Sequence, residues 1–181
     1  YFEVSDRTPS EDSFSGINKS ALKQKDTRYL IRLQVSPGIG DQIKISFEGY
    51  DLIEDSILVE KNENISKSKL RERGHEIADE FYRRIQGKES IFTSHIYFVS
   101  DRTSRGEETQ KELYKMDFDG RKPKQLTNHD GIVISPSISH DQTKILYSLV
   151  EKQNGEKRNI NLRIMDLKTN KSELLSSREG I

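Results

Sequence analysis

Lys111–Thr127 reads KELYKMDFDGRKPKQLT, and Asn159–Ser176 reads NINLRIMDLKTNKSELLS. The two stretches say nearly the same thing. Setting Asp117 against Asp166 gives an offset of 166 − 117 = 49. The same offset pairs Leu113 with Leu162, Met116 with Met165, Leu126 with Leu175 and Thr127 with Ser176. Upstream it sets Ile96 of HIYFVS against Ile145 of KILYSL. A constant register over roughly thirty positions marks an internal repeat, and a period of this size belongs to stacked or radially arrayed units.

The residues around the repeat say what the unit is. From Ile91 onward short runs with strand character follow one another: HIYFVSD, ELYKMDFD, PKQLT, IVISPSIS, KILYSLV, INLRIMDL and KSELLS. Turn signals divide them, among them Asp119-Gly120, Asn154-Gly155 and SHDQT. Asp-Gly suits hairpin turns because glycine takes positive φ at little cost. Short strands at this spacing predict an all-β sandwich, barrel or propeller, and a repeat of about four strands selects the propeller, one repeat to a blade. Leu113 with Leu162, and Met116 with Met165, are expected to face the core between blades.

Before Ile91 the pattern is different. TRYLIRLQVSP alternates, with Tyr29, Ile31, Leu33 and Val35 on one face and Arg28, Arg32 and Gln34 on the other, as a half-buried strand does. GIGDQ supplies a turn, IKISFEGYD alternates again, and SILVEK completes a meander. INKSALKQKD reads as a short helix and YFEVSD as an earlier strand. Residues 67–86 carry the clearest helical stripe: Leu70, Gly74, Ile77, Ala78, Phe81 and Ile85 recur at helical spacing. Ser66 is the expected N-cap and Gly87 the expected stop. Asp79–Arg83 and Glu80–Arg84 are expected i,i+4 pairs. The fold class expected is therefore α+β: a partial α/β domain over 1–90, with a mixed sheet and helices, then about two blades of a β-propeller over 91–181.

Composition narrows the function. The chain has 181 residues, 31% hydrophobic and 33% charged, a thin core that fits small strand-rich units better than a large enzyme. Thirty basic residues balance thirty acidic ones, so no charge excess points to nucleic acid or an anionic membrane. There is no cysteine, which excludes disulfides and thiol catalysis. No apolar run approaches the roughly 20 residues that span a bilayer, so direct membrane insertion is not expected. Asn18, Asn64 and Asn170 begin N-x-Ser sequons, which indicate exposed positions only.

The motifs with a chemical look give way to structural readings. HEIAD, His75–Asp79, spaces two ligands as zincins do, but the second is Asp, no third ligand follows, and Gly74, Ile77 and Ala78 belong to the helical stripe. DFDG, Asp117–Gly120, lacks the oxygen ligands of a Ca²⁺ loop and reads as a hairpin turn. His95, His129 and His140 have no nucleophile motif beside them, and SPGIGD lacks the lysine and helix of a phosphate loop. No catalytic residue, metal ligand or cofactor is expected. A propeller without a visible catalytic set is most often a binding platform.

SPSISHDQTKILYSL resembles the blade signature of the TolB family, and ELYKMDFDGRKPKQLT resembles the strands that follow it. LRERGHEIADEFYRRIQGKESIFTSHIYFVSDR is similar to the segment that joins that family's N-terminal α/β domain to its first blade, and RYLIRLQVSPGIGDQIKISFEGYDLIEDSILVEK to the last strands of that domain. The likeness covers almost the whole chain, in the family's order. It departs at Ile138, His140 and Gln142, where the signature has Trp, Pro and Gly. Against the family, the chain reads as cut at both ends, with the domain's first strand and helix and about four blades absent, and two blades alone are expected to be marginal or prone to associate.

The resemblance implies a non-enzymatic periplasmic component of the Tol-Pal envelope system. It would bind the peptidoglycan-associated lipoprotein Pal, TolA and other envelope proteins, and serve outer-membrane integrity and constriction at division. Partner contacts are expected in the loops that join successive blades: His129, Asp130 and Gly131, and Ser177, Arg178 and Glu179. A second reading, a propeller accessory to a peptidase or a sugar-acid lyase, needs a following hydrolase domain or a His/Gln metal cluster, and neither is visible.

Overall fold

Gln42–Asp51 (β2) is the strand on which the first part of the chain is built. Its alternate residues Ile43, Ile45 and Phe47 are all buried, and Phe47 is fully so. Tyr29–Pro37 (β1) and Ser56–Ser66 (β3) pair with it on either side, both antiparallel. The computed structural model describes residues 26–104, 109–153 and 157–179; the expected strand YFEVSD, most of the expected helix INKSALKQKD and the Asn154-Gly155 turn lie outside them. Among the described residues the sheet is antiparallel throughout, not mixed, because short turns join its consecutive strands.

One α-helix, Leu70–Gln86 (α1), lies on this sheet. Ile77 and Phe81 from the helix join Ile43, Ile45, Phe47 and Val59 in one core, with Ile65 packed against it. Phe81 meets Phe47 edge to face, ring centroids 5.9 Å apart. Gly49 makes that approach possible, since a Cβ there would lie 2.3 Å from the Phe81 ring. The helix begins differently from expectation. A 3₁₀ turn, Lys67–Lys69, precedes it, and Ser66 makes no capping bond; its hydroxyl donates to Asp41 instead. Gly87 ends the helix in the left-handed conformation, as expected. Asp79 pairs with Arg83, whereas Glu80 turns to Lys61 of β3 at 2.7 Å instead of to Arg84.

The first strand is where alternation misleads. Direct register partners share a side of a sheet, so Leu33 beside Phe47 and Val35 beside Ile45 face the helix side. Yet Ile31, Leu33 and Val35 are 44%, 54% and 47% exposed. A helix is about 10 Å across and strands lie about 4.8 Å apart, so one helix covers two strands. Here it covers β2 and β3.

The chain divides into two compact units, Tyr1–Glu89 and Ser90–Ile181. The second holds two antiparallel sheets. One has the order β4–β5–β6, from His95–Ser100 (β4), Glu112–Asp117 (β5) and Lys124–Gln125 (β6). The other runs β10–β9–β8–β7, from Ile132–Ile138 (β7), Lys144–Gln153 (β8), Lys157–Asp166 (β9) and Ser172–Glu179 (β10). The 49-residue offset lays β4 on the start of β8, β5 on the end of β9 and β6 on β10. It lays the positions of β7 on residues 83–89, which are the last turn of α1 and the Gly87 stop, so the first copy of the repeat has three strands where the second has four.

Leu113, Val133, Ile145, Tyr147, Leu149 and Met165 form the core between these sheets, with Tyr97, Val99, Leu126 and Leu167 packed against it. Only half of the expected repeat pairs are therefore in it. Leu113 and Met165 are buried, while Met116 and Leu162 are only half-buried and outside that cluster. The reason is geometric: residues three apart on a strand point to opposite faces. The sheets also touch through the main chain, where Lys111 donates to the Gly131 carbonyl at 2.9 Å and Val133 donates to the Lys111 carbonyl at 2.8 Å.

Candidate partner-binding site

The connection from β6 to β7 holds the first expected group. It is a turn clamped from beneath. Glu112, 2% exposed at the start of β5, accepts the backbone N–H of His129 at 2.7 Å and of Asp130 at 3.1 Å. It also accepts the Thr127 hydroxyl, whose oxygen in turn accepts the Leu113 N–H at 2.8 Å. A buried carboxylate that takes several donors has its oxygens satisfied. Asp130 sits at φ 55°, a conformation Asp tolerates better than most residues. Gly131 follows because nothing larger fits: a Cβ would stand 2.8 Å from the Val150 carbonyl oxygen.

His129 does not project freely. Its Nε2 lies 2.8 Å from the hydroxyl of Tyr147, a residue with no exposed surface. That hydroxyl is 2.8 Å from Ser172 Oγ, which accepts Arg163 Nε at 2.8 Å. Burial pushes the imidazole below its ordinary value, Arg163 adds to the effect, and Glu112 and Glu151 oppose it. His129 is thus a half-buried tie between the turn and β8. Of the first group, Asp130 alone presents an exposed side chain.

The second group is not on a loop. Ser177, Arg178 and Glu179 belong to β10, held to β9 beyond an irregularity between Leu174 and Ser176. Ser177 and Arg178 are exposed. The register brings the groups to one end of one sheet: Ile132 pairs with Val150, Val150 with Ile160 and Ile160 with Arg178. They stand on opposite edges of four strands, about 14 Å apart at the usual strand spacing. Sequence reasoning named residues at this end of the sheet and did not single out Glu112 and Tyr147, which hold the turn of the first group. The signal was thin: a carboxylate opening an apolar run and a Tyr inside one.

Of the other singled-out residues, Asp79, Asp117 and His95 have structural partners. Asp79 is engaged with Arg83, and the turn at Asp117–Gly120 closes through Gly120 N–H to the Asp117 carbonyl with Gly120 at φ 82°. His95 lies 3.7 Å from Asp117, and burial lowers its pKa, with Lys115 in the same direction and Asp117 against. His140 is exposed beside the Ser139–Thr143 turn. Among the described residues no cluster of three or more His, Asp or Glu side chains could hold a metal ion.

Over 180 residues, 96% of its length, the chain is 28% identical to the Tol-Pal system protein TolB of Nitrosococcus oceani, and spans 40% of that protein. The TolB of a Ruegeria species is 32% identical over 145 residues, 80% of this chain and 32% of its own. The crystal structure of TolB from Acinetobacter baumannii superposes with a TM-score of 0.71 at 23% identity, over 98% of this chain and 43% of that one. The chain is TolB-like. No family model matches it. The TolB-like chain spans less than half the length of these relatives. Among its described residues no helix is long and apolar enough to cross a membrane, which says nothing of β-barrels.

Proposed function

We propose that the TolB-like chain is a non-enzymatic, protein-binding component of the Tol-Pal system, working in the periplasm. Its partners are Pal, TolA and other envelope proteins, and its role is to support outer-membrane integrity and constriction at division. The supporting observation is that the likeness to TolB runs through both units in one alignment of 180 residues. The two domains are read as an N-terminal α/β domain over 1–90 and the first two propeller blades over 91–181. One end of the β7–β10 sheet is assigned to partner contact, with Asp130 at one edge and Ser177, Arg178 and Glu179 of β10 at the other, and His129 and Gly131 supporting Asp130.

The test is a calorimetric titration of the intact gene product that carries this sequence with the periplasmic domain of Pal, and separately with that of TolA. Saturable one-to-one binding to Pal supports the reading. Absence of binding to both sinks it. Asp130→Lys and Arg178→Glu then place the surface: a drop of about 1 kcal/mol or more in Pal affinity supports these positions, and an unchanged isotherm removes them.

A further inference from the structure

Four polar side chains stand in one line from β9 and β10 to the turn ahead of β7. Arg163 Nε donates to Ser172 Oγ at 2.8 Å. Ser172 Oγ is 2.8 Å from the Tyr147 hydroxyl, and that hydroxyl is 2.8 Å from His129 Nε2. A guanidinium only donates, and each hydroxyl has one proton to give. Every proton in the line is used when it runs from Arg163 to Ser172, from Ser172 to Tyr147 and from Tyr147 to Nε2. His129 is then the terminal acceptor. A proton on Nε2 turns the Tyr147 hydroxyl back onto Ser172 Oγ, which then receives two donors, and the Ser172 proton loses its place in the line.

The surroundings offer the imidazolium little in return. Glu112 of β5, Glu151 of β8 and Arg163 of β9 are the charged groups that face the ring, and Asp130, next on the turn, is exposed. Glu112 Oε1 is taken by the N–H groups of His129 and Asp130, and its Oε2 by the Thr127 hydroxyl. Glu151 Oε2 is taken by Asn161 Nδ2. Burial acts against the charged ring most strongly, Arg163 adds to it, and the two carboxylates offset it only in part. Released into water, the side chain has the ordinary value of about 6.5. The bound state is therefore fully favoured above that value and weakens as pH falls through the lower, bound value.

We propose that this line is a pH-sensitive latch on the candidate docking turn: an unprotonated His129 ties the turn of His129, Asp130 and Gly131 to β8, and protonation frees the turn and displaces Asp130. Its bearing on docking rests on the reading of Asp130 as a partner contact. The His129 side chain is half-buried, so it reaches solvent without opening the core. Tyr147 has no exposed surface and stays in place. Local openings of this kind need far less free energy than global unfolding. Acid is thus expected to weaken partner affinity before it unfolds the chain.

Amide exchange of the intact gene product that carries this sequence, at about pH 7 and about pH 5, tests the latch through the protection factors of the His129 and Asp130 N–H groups. In wild type, protection is expected to fall by about threefold or more at the lower pH. In His129→Gln, whose side-chain oxygen accepts from Tyr147 without titrating, protection is expected to be the same at both. Tyr147→Phe removes the donor and is expected to lower protection at both; if that variant fails to fold, wild type against His129→Gln decides. Unchanged protection in wild type or in a folded Tyr147→Phe, or an equal fall in His129→Gln, overturns the proposal. Titration with the periplasmic domain of Pal at the two pH values reads the consequence. Affinity is expected to fall with protection in wild type and to hold in His129→Gln. Affinity that holds in wild type while protection falls also overturns the proposal. Failure of both Pal and TolA to bind at either pH sinks the functional reading instead, and the latch is then decided by exchange alone.

Discussion

Gln142 shows how a turn accommodates a residue other than glycine. The TolB blade signature has Gly at this turn, and here Gln stands at φ 57°. The turn compensates locally: Asp141 accepts the hydroxyls of Ser139 and Thr143 and the Thr143 N–H, and these bonds, the Ser139 hydroxyl first, hold its carboxyl below the usual carboxylate range. A left-handed non-glycine residue costs on the order of 1 kcal/mol, part of which glycine returns as unfolded-state entropy. Gln142→Gly is therefore expected to raise stability by up to about 1 kcal/mol in urea melts; a loss would mean the Gln side chain contributes more than its strain. Glu112 is the reverse case. Glu112→Gln leaves one acceptor for three donors and is expected to cost about 1–3 kcal/mol. His129 adds a pH signature. Its folded pKa is depressed, so the unfolded chain binds the proton more tightly, and stability is full above the unfolded value of about 6.5 and falls as pH drops through the folded one. His95 has the same sign. Melting temperature is expected to fall between pH 7 and 5, and His129→Gln to flatten that slope; an unchanged slope would remove His129 from the account.

At the scale of elements, alternation located the strands and α1 but could not say what covers them. The β1 pattern is as regular as that of β2, yet Phe47 has no exposed surface and Leu33 is half exposed, because coverage depends on where a helix lands. Leu33→Lys is accordingly expected to change stability by no more than about 0.5 kcal/mol, whereas Phe47→Ala is expected to cost about 3–5 kcal/mol. Nor did any local signal mark Gly49 as a contact residue, since its role exists only once Phe81 is placed over it. Gly49→Ala is expected to cost about 1–3 kcal/mol by overpacking. Phe81→Leu, with a smaller side chain at the same site, is expected to recover part of that loss in a double-mutant cycle; strict additivity would show that the two residues do not share the constraint.

For the whole molecule, the repeat was legible because identical spacing survives substitution, and its faces were not, because reading Leu113 and Met116 as one core ignored the pleat. The candidate site was read only as a place: its residues were chosen from the order of repeats, and the clamp beneath the first group, Glu112 with Thr127 and Tyr147 with His129, forms between segments distant in sequence. The same view explains how stability is distributed. The core under α1 draws only on residues of the first unit, and the core between the other two sheets only on the second. Neither buried cluster lends a side chain to the other. Phe81→Ala is therefore expected to accelerate amide exchange across β1–β3 and α1 while leaving β4–β10 within about a factor of two of wild type, and Leu113→Ala to do the opposite, since opening free energies follow cooperative units of this size. Acceleration spread evenly over both units by either substitution would show that the chain unfolds as a single block, and that its two cores are coupled by contacts other than shared buried residues.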